Sequence, residues 1–155
     1  MKTHSLRNVT TIFFVLVLML VFAVSAFAEG GSSSATKEAT VNGYTYSYYS
    51  LVYAGVYNGV PYANASVSIR TKPSGTNVPA GWMYAQGRLY AHSGTLKATA
   101  VANTNSSSSY WHNGNFASLK PADASTLYYS GGTVGFWNGT NYSYYTVSHS
   151  PSFQP

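Results

Sequence analysis

The sequence predicts an all-β fold: an antiparallel β-sandwich of about seven or eight short strands, with a small barrel as the alternative. Three observations carry this. Beyond residue 28 the chain shows no helical period in its apolar residues. Instead, apolar and polar residues alternate at period two, the mark of a strand with one face in a core and one in water. These runs are bounded by Gly, Asn, Ser and Pro at intervals of about 8–12 residues, the spacing of turns in a sandwich.

The elements follow in order. Gly43-Tyr-Thr-Tyr-Ser-Tyr-Tyr49 sets Tyr44, Tyr46 and Tyr48 on one face of a first strand. Asn58-Gly59 is a weak turn signal, because Pro61 follows it and has no N–H to give to a ladder. In Ala65-Ser-Val-Ser-Ile-Arg-Thr71 the odd positions face a core and Ser66, Ser68 and Arg70 face water. Met83, Ala85, Gly87 and Leu89 repeat the pattern, which puts Trp82, Tyr84, Gln86, Arg88 and Tyr90 on the opposite face. Ser93-Gly94 separates this run from the next. Asn103 to Ser109 is a loop, and Lys120 to Ser125 is a connection between sheets, with room for one helical turn. Asn138-Gly139 is the strongest hairpin signal, since both residues tolerate positive φ. It precedes a last strand, Tyr142 to Val147, with Tyr142 and Tyr144 at period two and Phe136 or Trp137 brought near Tyr142.

Leu, Ile, Val and Phe are sparse in this region, but 15 Tyr and 3 Trp in the chain supply large rings whose burial can fold it. Three segments are expected: an export signal over residues 1–28, a flexible leader over 29–38 and a single β domain over 39–155. The first rests on Lys2 and Arg7, the apolar run Thr11 to Val24, and Ala26-Phe-Ala28, where small residues stand at the positions a signal peptidase reads. The run is shorter than the roughly 20 residues of a membrane span. Cleavage is expected after Ala28, giving a secreted, extracellular protein. The leader, Glu29 to Glu38, is small and polar and can bury little. With no Cys in the chain, the domain folds by packing alone, which suits a bacterial origin. After the last strand the chain ends without an apolar tail or sorting sequence, so free release is expected.

Catalysis is not expected. The domain from Ala39 holds one carboxylate side chain, Asp123, and a glycosidase working by two carboxylates needs a pair. His92, His112 and His149 lack metal-ligand spacing, there is no Gly-x-Ser-x-Gly elbow and no phosphate-binding Gly loop, and no cofactor or metal is implied. The formal net charge is +5, but Lys37, Arg70, Lys72, Arg88, Lys97 and Lys120 are scattered, which argues against nucleic acid as a partner.

What remains is aromatic. Trp82, Tyr84, Tyr90, Trp111, Trp137, Tyr142 and Tyr144 are the candidate binding residues, because exposed Tyr and Trp rings stack on sugar faces while their polar atoms bond hydroxyls. The same residues also stabilise sheets with no binding role. The function expected is a non-catalytic cell-surface, matrix or glycan-binding module that contacts cell-wall or matrix polysaccharide. Two alternatives stand beside it: a matrix protein that associates with copies of itself, and a bacteriocin-like or pore-forming toxin, which alone would contact a membrane.

Overall fold

A computed structural model describes residues 29–155; the expected export signal over 1–28 lies outside them. Among the described residues there are eleven strands and no helix. They are β1 (Gly30–Ser33), β2 (Lys37–Val41), β3 (Tyr44–Tyr57), β4 (Val60–Lys72), β5 (Met83–Ala91), β6 (Leu96–Thr99), β7 (Asn103–Thr104), β8 (Trp111–Asn113), β9 (Ala117–Leu119), β10 (Tyr128–Trp137) and β11 (Tyr142–Val147). All pairings are antiparallel and form two open sheets, so the sandwich holds and the barrel alternative falls.

The first sheet is built on the long hairpin β3–β4. Short strands extend both its sides: β1 and β2 pair with successive parts of β3, and β8 and β9 with successive parts of β4. The second sheet runs β11–β10–β5–β6, with β7 also on β5. The strand number exceeds the expected seven or eight because these edge pieces are only two to five residues long, too short to leave an alternation in the sequence.

Residues 29–38 correct the expectation of a flexible leader. Gly30 to Ser33 pair with Ala54 to Leu51, and Lys37 and Glu38 open β2 opposite Tyr48 and Ser47. These residues bury little side chain; the backbone ladder and the ring of Phe153 against Gly30 hold them. Ser34 joins the two strands, its backbone N–H donating to Ser50 O at 2.9 Å while its hydroxyl accepts from Ser50 N at 3.0 Å.

The turns rank differently from expectation. Asn58-Gly59, thought weak, is a two-residue turn with φ of 51° and 75°, and it joins the two longest strands. Pro61 is tolerated because it sits opposite Val56, one position beyond the pair that flanks the turn. In such a hairpin that position needs no N–H toward its partner. Asn42-Gly43 makes the same turn between β2 and β3, with φ of 51° and 79°. At Asn138-Gly139 only the glycine has positive φ. There the turn is held by the Asn138 side chain, whose Oδ1 accepts from Thr140 N and Asn141 N at 3.0 Å each.

The connection 120–127 crosses from β9 in the first sheet to β10 in the second without a helical turn. Asp123 organises it by accepting bonds from Ser125 N, Ser125 Oγ and Thr126 Oγ1.

Two apolar clusters fill the space between the sheets. One gathers Tyr46, Tyr48, Val67, Ile69, Met83, Val134 and Phe136; the other gathers Val52, Ala63, Ala65, Leu89 and Tyr128. At Gly87 the sheets approach closely: a Cβ there would stand 3.0 Å from Ala65 O and from Ser66 Cα. Beside this approach Ser50 Oγ donates to Ser148 O at 2.7 Å, tying β3 to the segment after β11. Tyr44, Tyr46 and Tyr48 therefore point inward, and they serve stability. Ser66 and Ser68, expected to face water, are buried: Ser66 Oγ donates to Gly114 O at 2.7 Å, and Ser68 Oγ accepts from the Trp111 indole at 3.3 Å. The segment carrying β8 covers them.

Candidate aromatic binding face

Alternation along β5, β10 and β11 decides what the second sheet shows to solvent. With Met83, Ala85 and Leu89 in the core, Tyr84, Gln86, Arg88 and Tyr90 face outward. Register then aligns them with the neighbouring strands. Tyr84, Gly135 and Tyr144 form one row, Gln86, Thr133 and Thr146 a second, Arg88 and Gly131 a third, and Tyr90 and Tyr129 a fourth. Trp137 and Tyr142 pair at the end beyond Tyr84. The result is two ring clusters with a polar strip between them, and Arg88 is the one charged residue in these rows.

In the larger cluster Tyr144 stands 5.4 Å from Tyr84, nearly perpendicular to it, and Trp137 stands 5.5 Å from Tyr142 at 74°. Tyr142 lies 5.9 Å from both Tyr84 and Tyr144. The bare backbone of Gly135 makes this possible: a Cβ would meet Tyr144 Cε1 at 2.9 Å and Tyr142 Cδ1 at 3.3 Å. The rings thus lean across the central strand. Tyr142 is anchored by its hydroxyl, which donates to Gly81 O. Burial, and secondarily the neighbouring Tyr144, raise its pKa above the ordinary phenol value and favour the protonated form that can donate. Tyr144 is 59 % exposed and offers the most open ring.

In the smaller cluster Tyr90 and Tyr129 stack at 5.2 Å and 11°, and His149 lies 4.7 Å from Tyr129. Gly131 plays the part of Gly135, since a Cβ there would meet His149 Cδ2 at 2.8 Å. Tyr129 and His149 were missed by sequence reasoning. Tyr129 is identified only by its register opposite Tyr90, and His149 only by the path of the chain after β11.

Of the seven candidates, the structure gathers Tyr84, Trp137, Tyr142 and Tyr144 in one cluster and places Tyr90 in the second cluster of the same face. Two lie elsewhere. Trp82 precedes β5, and its ring leaves the face to pack edge-on against Tyr44 at 5.6 Å and 87°, at the margin of the core. The strict alternation that grouped it with Tyr84 fails because β5 begins only at Met83. Trp111 is on β8 in the other sheet, half-exposed over Ser68.

Three titratable groups have local partners. His92 Nδ1 lies 3.0 Å from Ser152 Oγ. His112 is buried with Nε2 3.4 Å from Asn103 O; burial lowers its pKa, and the backbone bond opposes that shift in part. The bonds from Ser125 and Thr126 lower the pKa of Asp123.

Fold and face together define a two-sheet antiparallel β-sandwich with a sparsely charged aromatic surface on one sheet. No family model matches the chain, and neither the curated proteins nor the solved structures include a match to it.

Proposed function

We propose that this is a secreted, non-catalytic glycan-binding domain that holds neutral cell-wall or matrix polysaccharide on the outer face of its second sheet. The observation that carries the reading is the cluster of Tyr84, Trp137, Tyr142 and Tyr144, set on strands rather than loops and leaning over Gly135. A pyranose ring presents C–H groups on its faces and hydroxyls at its rim. Exposed phenol and indole rings match the former, while phenol hydroxyls and the strip of Gln86, Thr133 and Thr146 match the latter. Sparse charge on the face favours a neutral polymer over an ionic one. Export through residues 1–28 brings the domain to such polymers.

The test is retention of the secreted protein on insoluble polysaccharides, with Tyr144→Ala and Trp137→Ala as comparators. Retention that either variant weakens at least tenfold supports the reading; equal retention of all three forms removes it.

A second reading, self-association, is favoured by one feature: β11 is an edge of its sheet and carries no charged residue or Pro to discourage pairing with a copy. Concentration-dependent assembly on a sizing column would support it.

A further inference from the structure

The outer face of the first sheet carries a groove that alternation alone does not reveal. Tyr53, Gly55 and Tyr57 follow one another at period two along β3, and Gly55 lies opposite Tyr62 of β4. A Cβ at Gly55 would stand 3.1 Å from Glu29 Cγ and 3.3 Å from Tyr62 Oη, so the missing side chain lets Glu29 and the Tyr62 hydroxyl lie together over the strand between the two outward tyrosines. The depression is about 340 Å³ and is lined by Glu29, Tyr57, Tyr62, Asn64, Ser118 and Lys120. A second depression of about 310 Å³ shares Glu29 and Tyr62 with it and runs on to Tyr53.

The ends are aromatic. Tyr57 is 56 % exposed, with Lys120 Nζ 4.6 Å from its ring centroid. Tyr53 is 40 % exposed and is braced edge-on by Phe116 at 6.1 Å. Between the ends lie the Glu29 carboxylate, the Lys120 ammonium, an amide and hydroxyls, with Asn64 and Ser118 brought together as a cross-strand pair.

We infer that this groove is a second saccharide site, one that takes two or more units of a neutral glycan chain. Two neighbouring depressions on either side of Glu29 and Tyr62, with a ring at each far end, suit a chain of sugar units better than one compact ligand. Neighbouring sugar hydroxyls can donate to the Glu29 carboxylate while accepting from Lys120, Asn64 and the α-ammonium that cleavage after Ala28 leaves on Glu29, whereas an anion meets the carboxylate and a cation meets the two ammonium groups. The inference takes its ligand class from the glycan reading of the other sheet. It adds that sites on opposite faces make the molecule bivalent, able to bridge polymer chains.

Calorimetric titration tests this with neutral gluco-, xylo-, manno- and N-acetylglucosamine hexaoses and with galacturonate hexaose. The proteins compared are the unaltered secreted form, Tyr144→Ala, Tyr57→Ala and Lys120→Ala; Tyr57 and Lys120 are exposed, and thermal melts check that the variants fold. The expected result is two equivalents of one neutral hexaose bound to the unaltered protein. Tyr57→Ala and Lys120→Ala should each weaken one equivalent at least tenfold, leave the other, and abolish precipitation of the matching polysaccharide. Groove variants that bind like the unaltered protein, while Tyr144→Ala loses binding, overturn the groove and leave the platform standing. Stronger binding of galacturonate than of every neutral hexaose overturns the neutral assignment. Failure of the unaltered protein to bind any hexaose overturns both sites.

Discussion

The ring of Tyr46 on β3 lies against that of Phe136 on β10, with centroids 4.0 Å apart and planes within 8° of parallel, so one aromatic pair joins the two sheets within the core. Tyr48 and Tyr145 close around the same ring at 5.8 Å and 5.6 Å. Phe136→Ala is therefore expected to cost about 3–5 kcal/mol in a urea titration, the usual cost of emptying a packed aromatic site.

The Tyr46 hydroxyl is buried and has no hydrogen-bond partner among the described residues. An unsatisfied buried hydroxyl costs about 1–3 kcal/mol. Tyr46→Phe keeps the stack and removes that cost, so it should raise the melting temperature; a fall of several degrees would mean that the hydroxyl is satisfied in solution.

Burial and, to a lesser degree, Tyr44 push the Tyr46 phenol up to about 12 from the ordinary 10.0. Above pH 10 the unfolded chain gives up a proton that the folded chain keeps. This contribution to stability is thus full below pH 10 and declines as pH rises toward 12, by up to about 1.4 kcal/mol per unit. His112 acts at the other end of the scale. Burial lowers its pKa from 6.5, so the unfolded chain takes up the proton first and stability falls as pH drops below that value. Urea midpoints should drop between pH 7.5 and pH 5, and less so in His112→Gln; an equal drop in both would assign the acid limb to other groups.

Asn105 is buried and holds the segment before β8 against the start of β5. Its Oδ1 accepts from Met83 N at 2.9 Å, and its Nδ2 donates to Pro79 O and Ser107 O at 2.9 Å and 2.8 Å. Asn105→Ala strands those backbone groups and should cost about 2 kcal/mol or more by the same measurement.

The alternation in β5 was legible because its core face is apolar and its outer face is not, and Tyr84 and Tyr90 follow from it. The Tyr/Ser runs were not legible in the same way. Tyr44-Thr-Tyr-Ser-Tyr48 and Tyr142-Ser-Tyr144 look alike, yet the first points its rings inward and the second outward. A tyrosine suits either side of a sheet, and only the packing of β3 against β10 decides. Residues 30–33 offered no side-chain signal because a backbone ladder forms them. Trp82 was grouped with Tyr84 by an alternation that runs one residue past the start of β5, and Trp111 by residue type, a criterion that ignores which sheet a ring occupies.

The most direct test of the account is the affinity of the protein for polysaccharide in the retention assay, measured beside Tyr144→Ala, whose ring is open to solvent and supports none of the core. The account predicts a folded variant with at least tenfold weaker binding, the loss of about 1.4 kcal/mol or more common when one anchoring ring is removed. A folded Tyr144→Ala protein that binds with undiminished affinity, together with a folded Trp137→Ala protein that does the same, would contradict it.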